Sequence, residues 1–333
     1  MQAIILKSNK GTRFHFGKAL ATGKNDASAL AYVSEYLHSD TLWSALVNAW
    51  ALSSPKTVEN FISECRNGKF RLSSAFYYLE YQGSSVFFLP KPVSVNLFPF
   101  DEPKKLKKIK FISKGIWEAG LLPGKWFDGG ECMLLQNDTI VALKSEMDKS
   151  ITLFAKETSP KVRARDVNDH EDGYYYQTDL FLFGNNEYSV SWYFVMENRL
   201  SEDLKHDFNS AMKTLTHLGI GGERSSGCGS LTEYTTVDFQ IEVENTAYRS
   251  SLSLIAPNEN ELTKNSLYQI VKRGGRFFKE GKSLPMLQML LEGAVFDKDI
   301  KGKVAELNTE PPILRYGLNL DIPLHNKFIS SLL

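Results

Sequence analysis

The stretch Gly219-Ile220-Gly221-Gly222-Glu223-Arg224-Ser225-Ser226-Gly227-Cys228-Gly229-Ser230 constrains this chain more than any other. Five of the 23 glycines fall within eleven residues here, beside Arg224, Ser225, Ser226 and Ser230. Glycine reaches backbone angles that other residues avoid, and it lets a second backbone approach closely. Such a cluster marks either a connection of unusual shape or a surface that meets a ligand. The flanking residues define its setting. Leu204, Phe208, Ala211, Leu215 and Leu218 recur at steps of four and three, the period of one buried helical face. Ser201 can cap that helix, Glu202 and Asp203 suit its N-terminal dipole, and Gly219 is placed to end it. Beyond the loop, Val237, Phe239, Ile241 and Val243 alternate with polar residues, the period of a strand.

The order helix, glycines, strand excludes two common nucleotide sites. A dinucleotide fingerprint runs strand, glycines, helix, and sets phosphate on a helix N-terminus. Its spacing also fails, because a glycine is needed where Arg224 stands. A P-loop needs a closing Gly-Lys-Ser/Thr, which is absent. If this loop holds phosphate, the attraction must come from Arg224 and from backbone amides arranged as a nest.

At 333 residues the chain exceeds one ordinary core, so two domains are expected. Net charge is zero, so any nucleic-acid binding must rely on local patches. Cys65, Cys132 and Cys228 lack zinc-ligand spacing, and an odd count argues against a secreted disulfide framework. No apolar run is long enough to span a bilayer, and no signal peptide is evident. These features predict a cytoplasmic protein without metal or cofactor.

Gln2 to Lys7 reads as a strand. Ser39 or Asp40 is the natural cap of a helix whose buried stripe is Leu42, Leu46, Ala49 and Trp50. Phe76–Tyr81 and Ser85–Leu89 read as strands around Gln82-Gly83. Leu180–Phe183 and Tyr188–Met196 read as a hairpin turning at Gly184-Asn185-Asn186. The first 244 residues thus follow a ferredoxin-like β-α-β-β-α-β order with an insertion at about 53–200. Residues 245–333 suggest a second, degenerate unit of the same α+β type. Arg249–Ile255 is one of its strands, a hairpin formed by Ser266–Val271 and Arg276–Phe278 turns at Gly274-Gly275, and segments 286–296 and 313–322 supply others.

No catalytic signature surrounds any of the six histidines. His38 stands beside Ser39 and Asp40, where a helix-cap cluster accounts for it. Basic residues gather in three places. Lys104, Lys105, Lys107, Lys108 and Lys110 surround Leu106 and Ile109; Arg163 and Arg165 precede Tyr174-Tyr175-Tyr176; Lys272, Arg273 and Arg276 flank Gly274-Gly275. Each alone reads as a solvated face. Together, and beside a glycine loop, they favour a single RNA strand held by phosphate contacts and stacking.

Four segments, in this order, carry a family resemblance. They are Leu37-His38-Ser39-Asp40-Thr41-Leu42-Trp43-Ser44-Ala45-Leu46, the lysine run into Phe111-Ile112-Ser113, Tyr174-Tyr175-Tyr176-Gln177-Thr178-Asp179, and the glycine loop. With them the chain resembles the RAMP-superfamily subunit of type III-A CRISPR (Csm) effector complexes that holds the 5′ end of the guide RNA. The loop alone marks only the superfamily. The resemblance implies tandem ferredoxin-like (RRM-like) units and a non-catalytic binding role. The implied partners are the repeat-derived 5′ tag of the guide RNA, the large polymerase–nuclease subunit and the backbone RAMP subunits. Gly219, Gly221, Gly222, Arg224, Ser225, Ser226, Gly227 and Gly229 become the RNA-contacting loop. His38, Asp40 and the basic patches become further contacts to RNA or subunits. The alternative is a related RAMP endoribonuclease that processes precursor guide RNA, with His38 or His15 as general acid or base. Its glycine loop would lie near the C-terminus, whereas this chain continues to residue 333. A backbone RAMP subunit, with Asp26 as its acidic cleavage residue, has no supporting motif.

Overall fold

A computed structural model describes residues 1–18, 30–162, 174–244, 246–275, 284–310 and 312–329. The chain begins with β1 (Gln2–Lys7) and a short β2 (Arg13–Phe14). Helices α1 (Ser39–Ser53) and α2 (Val58–Arg66) follow, then β3 (Phe70–Leu72), β4 (Phe76–Tyr81) and β5 (Ser84–Pro90). A mixed segment carries α3 (Pro103–Lys108), β6 (Phe111–Ser113), α4 (Lys114–Ala119) and α5 (Pro123–Phe127). It continues through β7 (Cys132–Leu135), β8 (Ile140–Leu143), β9 (Phe154–Val162) and β10 (Tyr174–Leu182). β11 (Tyr188–Asn198), α6 (Glu202–Leu218) and β12 (Glu233–Asp238) complete this part.

The main sheet has nine strands in the order β12-β1-β11-β4-β5-β6-β8-β7, with β3 also on β11. Ala3, Ile4, Ile5 and Leu6 of β1 are all buried, as suits a strand with neighbours on both edges and layers on both faces. Its first four strands follow the chain as β1, α1, β4, β11, α6, β12 and are antiparallel throughout. The helices α1 and α6 pack on each other. Beside them Trp50 stacks on Phe61 at 4.1 Å, and Phe208 of α6 closes the cluster against Phe70 at 5.5 Å. Each such side chain, fully buried, is worth about 2–3 kcal/mol.

Three local expectations change. Helix α1 is capped by His38, and the two expected caps serve as ties instead. Ser39 accepts a hydrogen bond from Leu254 N at 3.0 Å, and Asp40 pairs with two arginines. The strand after the glycine loop is Glu233–Asp238, not the alternating run from Val237. It ends where its partner ends: Asp238 faces Gln2, and Phe239 N donates to Met1 O. Phe239 then folds inward against Phe87 and Tyr193. The expected hairpin keeps its turn, with Asn185 Oδ1 accepting from Glu187 N and Tyr188 N. Past a bridge at Gly184 and Ser189 its strands part, β11 into the main sheet and β10 into a second sheet, β2-β10-β9. The region 53–200 is therefore no simple insertion, since it contains the main-sheet strands β4 and β11.

After residue 244 come short strands: β13 (Arg249–Ser251), β14 (Ile270–Arg273), β15 (Leu287–Leu290), β16 (Val295–Phe296), β17 (Ala305–Leu307), β18 (Ile313–Arg315) and β19 (Asp321–Pro323). They form small sheets, β16-β13-β19, β14-β15 and β17-β18. Thus β14 pairs with β15, and the expected hairpin strand Arg276–Phe278 lies outside the described residues. No α-helix occurs among the described residues of this part, which departs from a ferredoxin-like unit. Its core is only partly separate: Ile255, Leu290, Phe296 and Ile300 form a cluster of their own, while other side chains reach the main one. Leu252, Tyr316, Leu320 and Phe328 join the main hydrophobic cluster, and Tyr316 stacks on Trp43 at 5.6 Å.

Candidate nucleic-acid interface

Helix α6 ends at Gly219 with φ +74°, and the chain turns at once into a narrow neck. Ile220 N donates to Gly229 O at 2.9 Å. At Gly229 φ is +78°, and a Cβ there would lie 1.9 Å from Ile220 O. A Cβ on Gly221 would meet His15 O at 2.7 Å. Only glycine lets these backbones touch. The neck is sewn to the segment around β2: Gly222 N donates to His15 O at 2.8 Å, and Gly229 N to Arg13 O at 2.6 Å.

Above the neck, Glu223 takes φ +54°, Arg224–Ser226 make one 3-10 turn, and Gly227 has φ +83°. Ser226 N and Cys228 N donate to Glu223 O, and Gly227 N to Arg224 O. The amides of Ile220, Gly222, Ser226, Gly227, Cys228 and Gly229 are thus committed inside the protein, and the glycines shape the neck. Gly222, Arg224, Ser225, Ser226 and Gly227 are exposed along the crest, while Gly229 is buried.

A buried polar cluster supports the crest from below. Arg13 Nη2 donates to Ser226 O at 2.9 Å, and its Nη1 lies 3.8 Å from Asp179 Oδ2. Gln177 Nε2 donates to Asp179 Oδ1 at 2.8 Å. His15 Nδ1 lies 2.9 Å from Thr178 O and 3.5 Å from Asp179 Oδ1. Burial, and then the Asp179 charge, push the Cys228 thiol up, so it stays protonated. The Tyr174–Asp179 segment and the glycine loop, 40 or more positions apart, are one structure through Asp179. Tyr174 and Tyr176 of the same strand are exposed. Arg13 carries no motif, and nothing in the sequence marks it.

The other expected contacts lie elsewhere, and no hydrogen bond or ion pair joins them to the loop among the described residues. His38 is buried, its Nδ1 2.8 Å from Glu292 Oε1 and its ring against Tyr36 at 4.6 Å. Asp40 accepts from Arg273 Nε at 3.0 Å, Arg273 Nη2 at 2.9 Å and Arg315 Nη1 at 2.7 Å. Burial alone would raise the Asp40 carboxyl. The two guanidinium groups outweigh it and hold the group below the usual carboxylate range. Asp40 and Arg273 are therefore internal ties between α1 and the C-terminal strands, which corrects the expectation of surface contacts. His15 is enclosed beneath the crest, and His38, also buried, lines a cavity away from the loop.

The lysine run forms α3, anchored by buried Leu106. Lys105 pairs with Glu102 and Lys108 with Asp138, whereas Lys104 and Lys107 are exposed without an ion pair among the described residues. Lys272 is exposed. Arg163, Arg165 and Arg276, with Asp26, lie outside the described residues. Among those described, no cluster of histidine, cysteine or carboxylate could hold a metal, and no helix is long and apolar enough to cross a membrane.

This geometry has relatives. Residues 244–324 match the family model of the CRISPR Csm4 C-terminal domain. The CRISPR system Cms protein Csm4 of Methanocaldococcus jannaschii is 24% identical over 355 aligned residues, covering 93% of this chain and 89% of that protein. A chain of the Csm3–Csm4 subcomplex in the type III-A CRISPR-Cas interference complex superposes with a TM-score of 0.69, at 20% identity, over 98% of this chain and 100% of its own. A chain of the Csm1–Csm4 cassette in complex with AMPPNP gives 0.57 at 18% identity, covering 97% of each chain. At such identities the solved structures share the fold with this chain. Taken with the sequence matches, they make this chain similar to Csm4 subunits along most of its length.

Proposed function

We propose that this chain is the non-catalytic subunit that holds the repeat-derived 5′ tag of the guide RNA and joins the large polymerase–nuclease subunit to the RAMP backbone. The exposed crest Arg224–Gly227, held on a buried scaffold, carries this reading. Because the amides of the neck are already used, the loop's grip draws on the crest, above all on its side chains. Arg224 offers charge to a phosphate, and Ser225 and Ser226 offer hydroxyls to phosphate or to a 2′-hydroxyl. A loop fixed before binding loses little entropy on contact.

The β-α-β-β-α-β order with strands β12-β1-β11-β4 supports a ferredoxin-like RAMP unit for the first part. The bridging role draws on the similar chains that occur in a Csm3–Csm4 subcomplex and a Csm1–Csm4 cassette. Binding is favoured over precursor processing because His15 is enclosed and already partnered, and His38 lines a separate cavity with no hydrogen bond to the loop among the described residues, while a general acid or base must reach the proton it moves. The test is guide-RNA loading of the reconstituted complex. Retention of tag-bearing RNA that depends on Arg224, with no cleavage by the isolated chain, supports the proposal. Metal-independent cleavage of repeat RNA, abolished in His38→Ala, would falsify it.

A further inference from the structure

Away from the loop, a cavity of about 700 Å³ lies between the segment before α1, the α3–β6 region and the β14 strand. That volume suits a small organic ligand. Val93, Ile109, Phe111 and Val271 give it an apolar wall, and Lys18, Lys91 and Lys107 bring cationic groups to it.

The acids in this cavity are already matched. Glu35 is held by Lys110 and Lys156, each at 2.6 Å. Glu292 is held by the Tyr36 hydroxyl at 2.9 Å, by His38 at 2.8 Å and by the Ser74 hydroxyl. Lys91 differs. Its side chain is buried to about nine-tenths, and its ammonium donates to Asn96 Oδ1 at 2.7 Å and to Leu106 O. Both acceptors are neutral, and one of the three ammonium donors is left over. A buried cation with no carboxylate is costly until an anion arrives. Lys18 and Lys107 likewise have no ion pair among the described residues.

We infer that this cavity binds a nucleoside monophosphate unit, with its phosphate beside Lys91 and Lys107 and its base on the apolar wall. The site goes beyond the crest and does not depend on it. The unit is either a free nucleotide or one residue of an RNA strand, and the chemistry of recognition is the same for both.

Calorimetric titration of the purified full chain with AMP, adenosine and inorganic phosphate tests this. AMP is expected to bind at least tenfold more tightly than either fragment. Lys91→Met should weaken AMP at least tenfold while unfolding no earlier than the parent, and Lys107→Ala, at an exposed position, should weaken it severalfold. Arg224→Ala should leave AMP binding unchanged, which separates this site from the crest. Displacement of AMP by tag-bearing RNA assigns the unit to an RNA strand, and no displacement assigns it to a free nucleotide; both retain the site. No AMP binding at millimolar concentration, phosphate binding as tightly as AMP, or unchanged affinity in both lysine variants overturns it.

Discussion

Arg13 Nη2 donates to the carbonyl of Ser226 at 2.9 Å, and this bond ties the second strand of the chain to the crest of a loop 213 positions away. The same guanidinium reaches Asp179, so one side chain links all three parts of the candidate interface. Arg13 shapes the crest, while Arg224 projects from it. The two arginines should therefore fail differently.

Arg224→Ala removes a charge facing solvent. Guide-RNA affinity should fall about tenfold, and the slope of log affinity against log salt should flatten by roughly 0.7, the share of one phosphate on a single strand. Arg13→Ala should also weaken binding severalfold, but with a slope close to that of the parent. Filter-binding titrations across a salt series separate the two. An unchanged slope in Arg224→Ala removes that residue from the phosphate contacts.

The glycines of the loop are not equivalent. Gly229→Ala drives a methyl group into Ile220 O at a φ of +78° and should cost several kcal/mol, on the order of 3. At Gly227 the φ is +83°, yet the nearest atom to an added Cβ is an Arg13 nitrogen at 4.0 Å. Gly227→Ala should cost only the backbone strain, about 1 kcal/mol. Urea unfolding of both variants checks the ranking, and equal losses would contradict it.

Asp40→Asn should destabilise the protein by roughly 3–5 kcal/mol at pH 7, because Arg273 and Arg315 remain buried without their counter-charge. The Asp40 carboxyl titrates below its unfolded value. Its contribution is present above the unfolded pKa near 4 and is lost as pH falls through the lower folded value. The gap between parent and variant should therefore narrow in acid, below about pH 4. A gap that stays constant from pH 7 to pH 2 would show that the pair does not supply it.

Burial lowers the Lys91 ammonium to about 7. The unfolded chain then binds more protons than the folded one from about pH 7 to pH 10, and stability contributed by this position rises with pH over that window. Without a bound anion, Lys91→Met should be more stable than the parent at pH 7, by at most about 4 kcal/mol, and the advantage should shrink toward pH 10. Thermal unfolding at a series of pH values measures this. A variant less stable than the parent at pH 7 would show that the bonds to Asn96 and Leu106 outweigh the buried charge.

Much of the first part was legible because its signals are local. The period of Leu204, Phe208, Ala211 and Leu215, with Gly219 after it, defines α6, and the apolar run Gln2–Lys7 defines β1. What escaped depends on partners distant in sequence. Asp40 reads as a cap because its arginines stand 233 and 275 positions away. The strand after the loop was misplaced because its end is set by the end of β1, which no alternation reveals. β10 carries the hairpin signal but turns to another sheet, since β1 and β4 occupy the two edges of β11. The loop was found by its glycines, but their use in closing a neck appears only once Arg13 and His15 lie beside it.

Photo-crosslinking of the complex loaded with a guide RNA carrying photoreactive nucleotides through its 5′ tag tests the central claim most directly. The account predicts crosslinked peptides spanning Arg224 to Gly227, lost or sharply reduced in Arg224→Ala. Efficient tag crosslinks to this chain that never include the crest, with loading unchanged in Arg224→Ala, would contradict it.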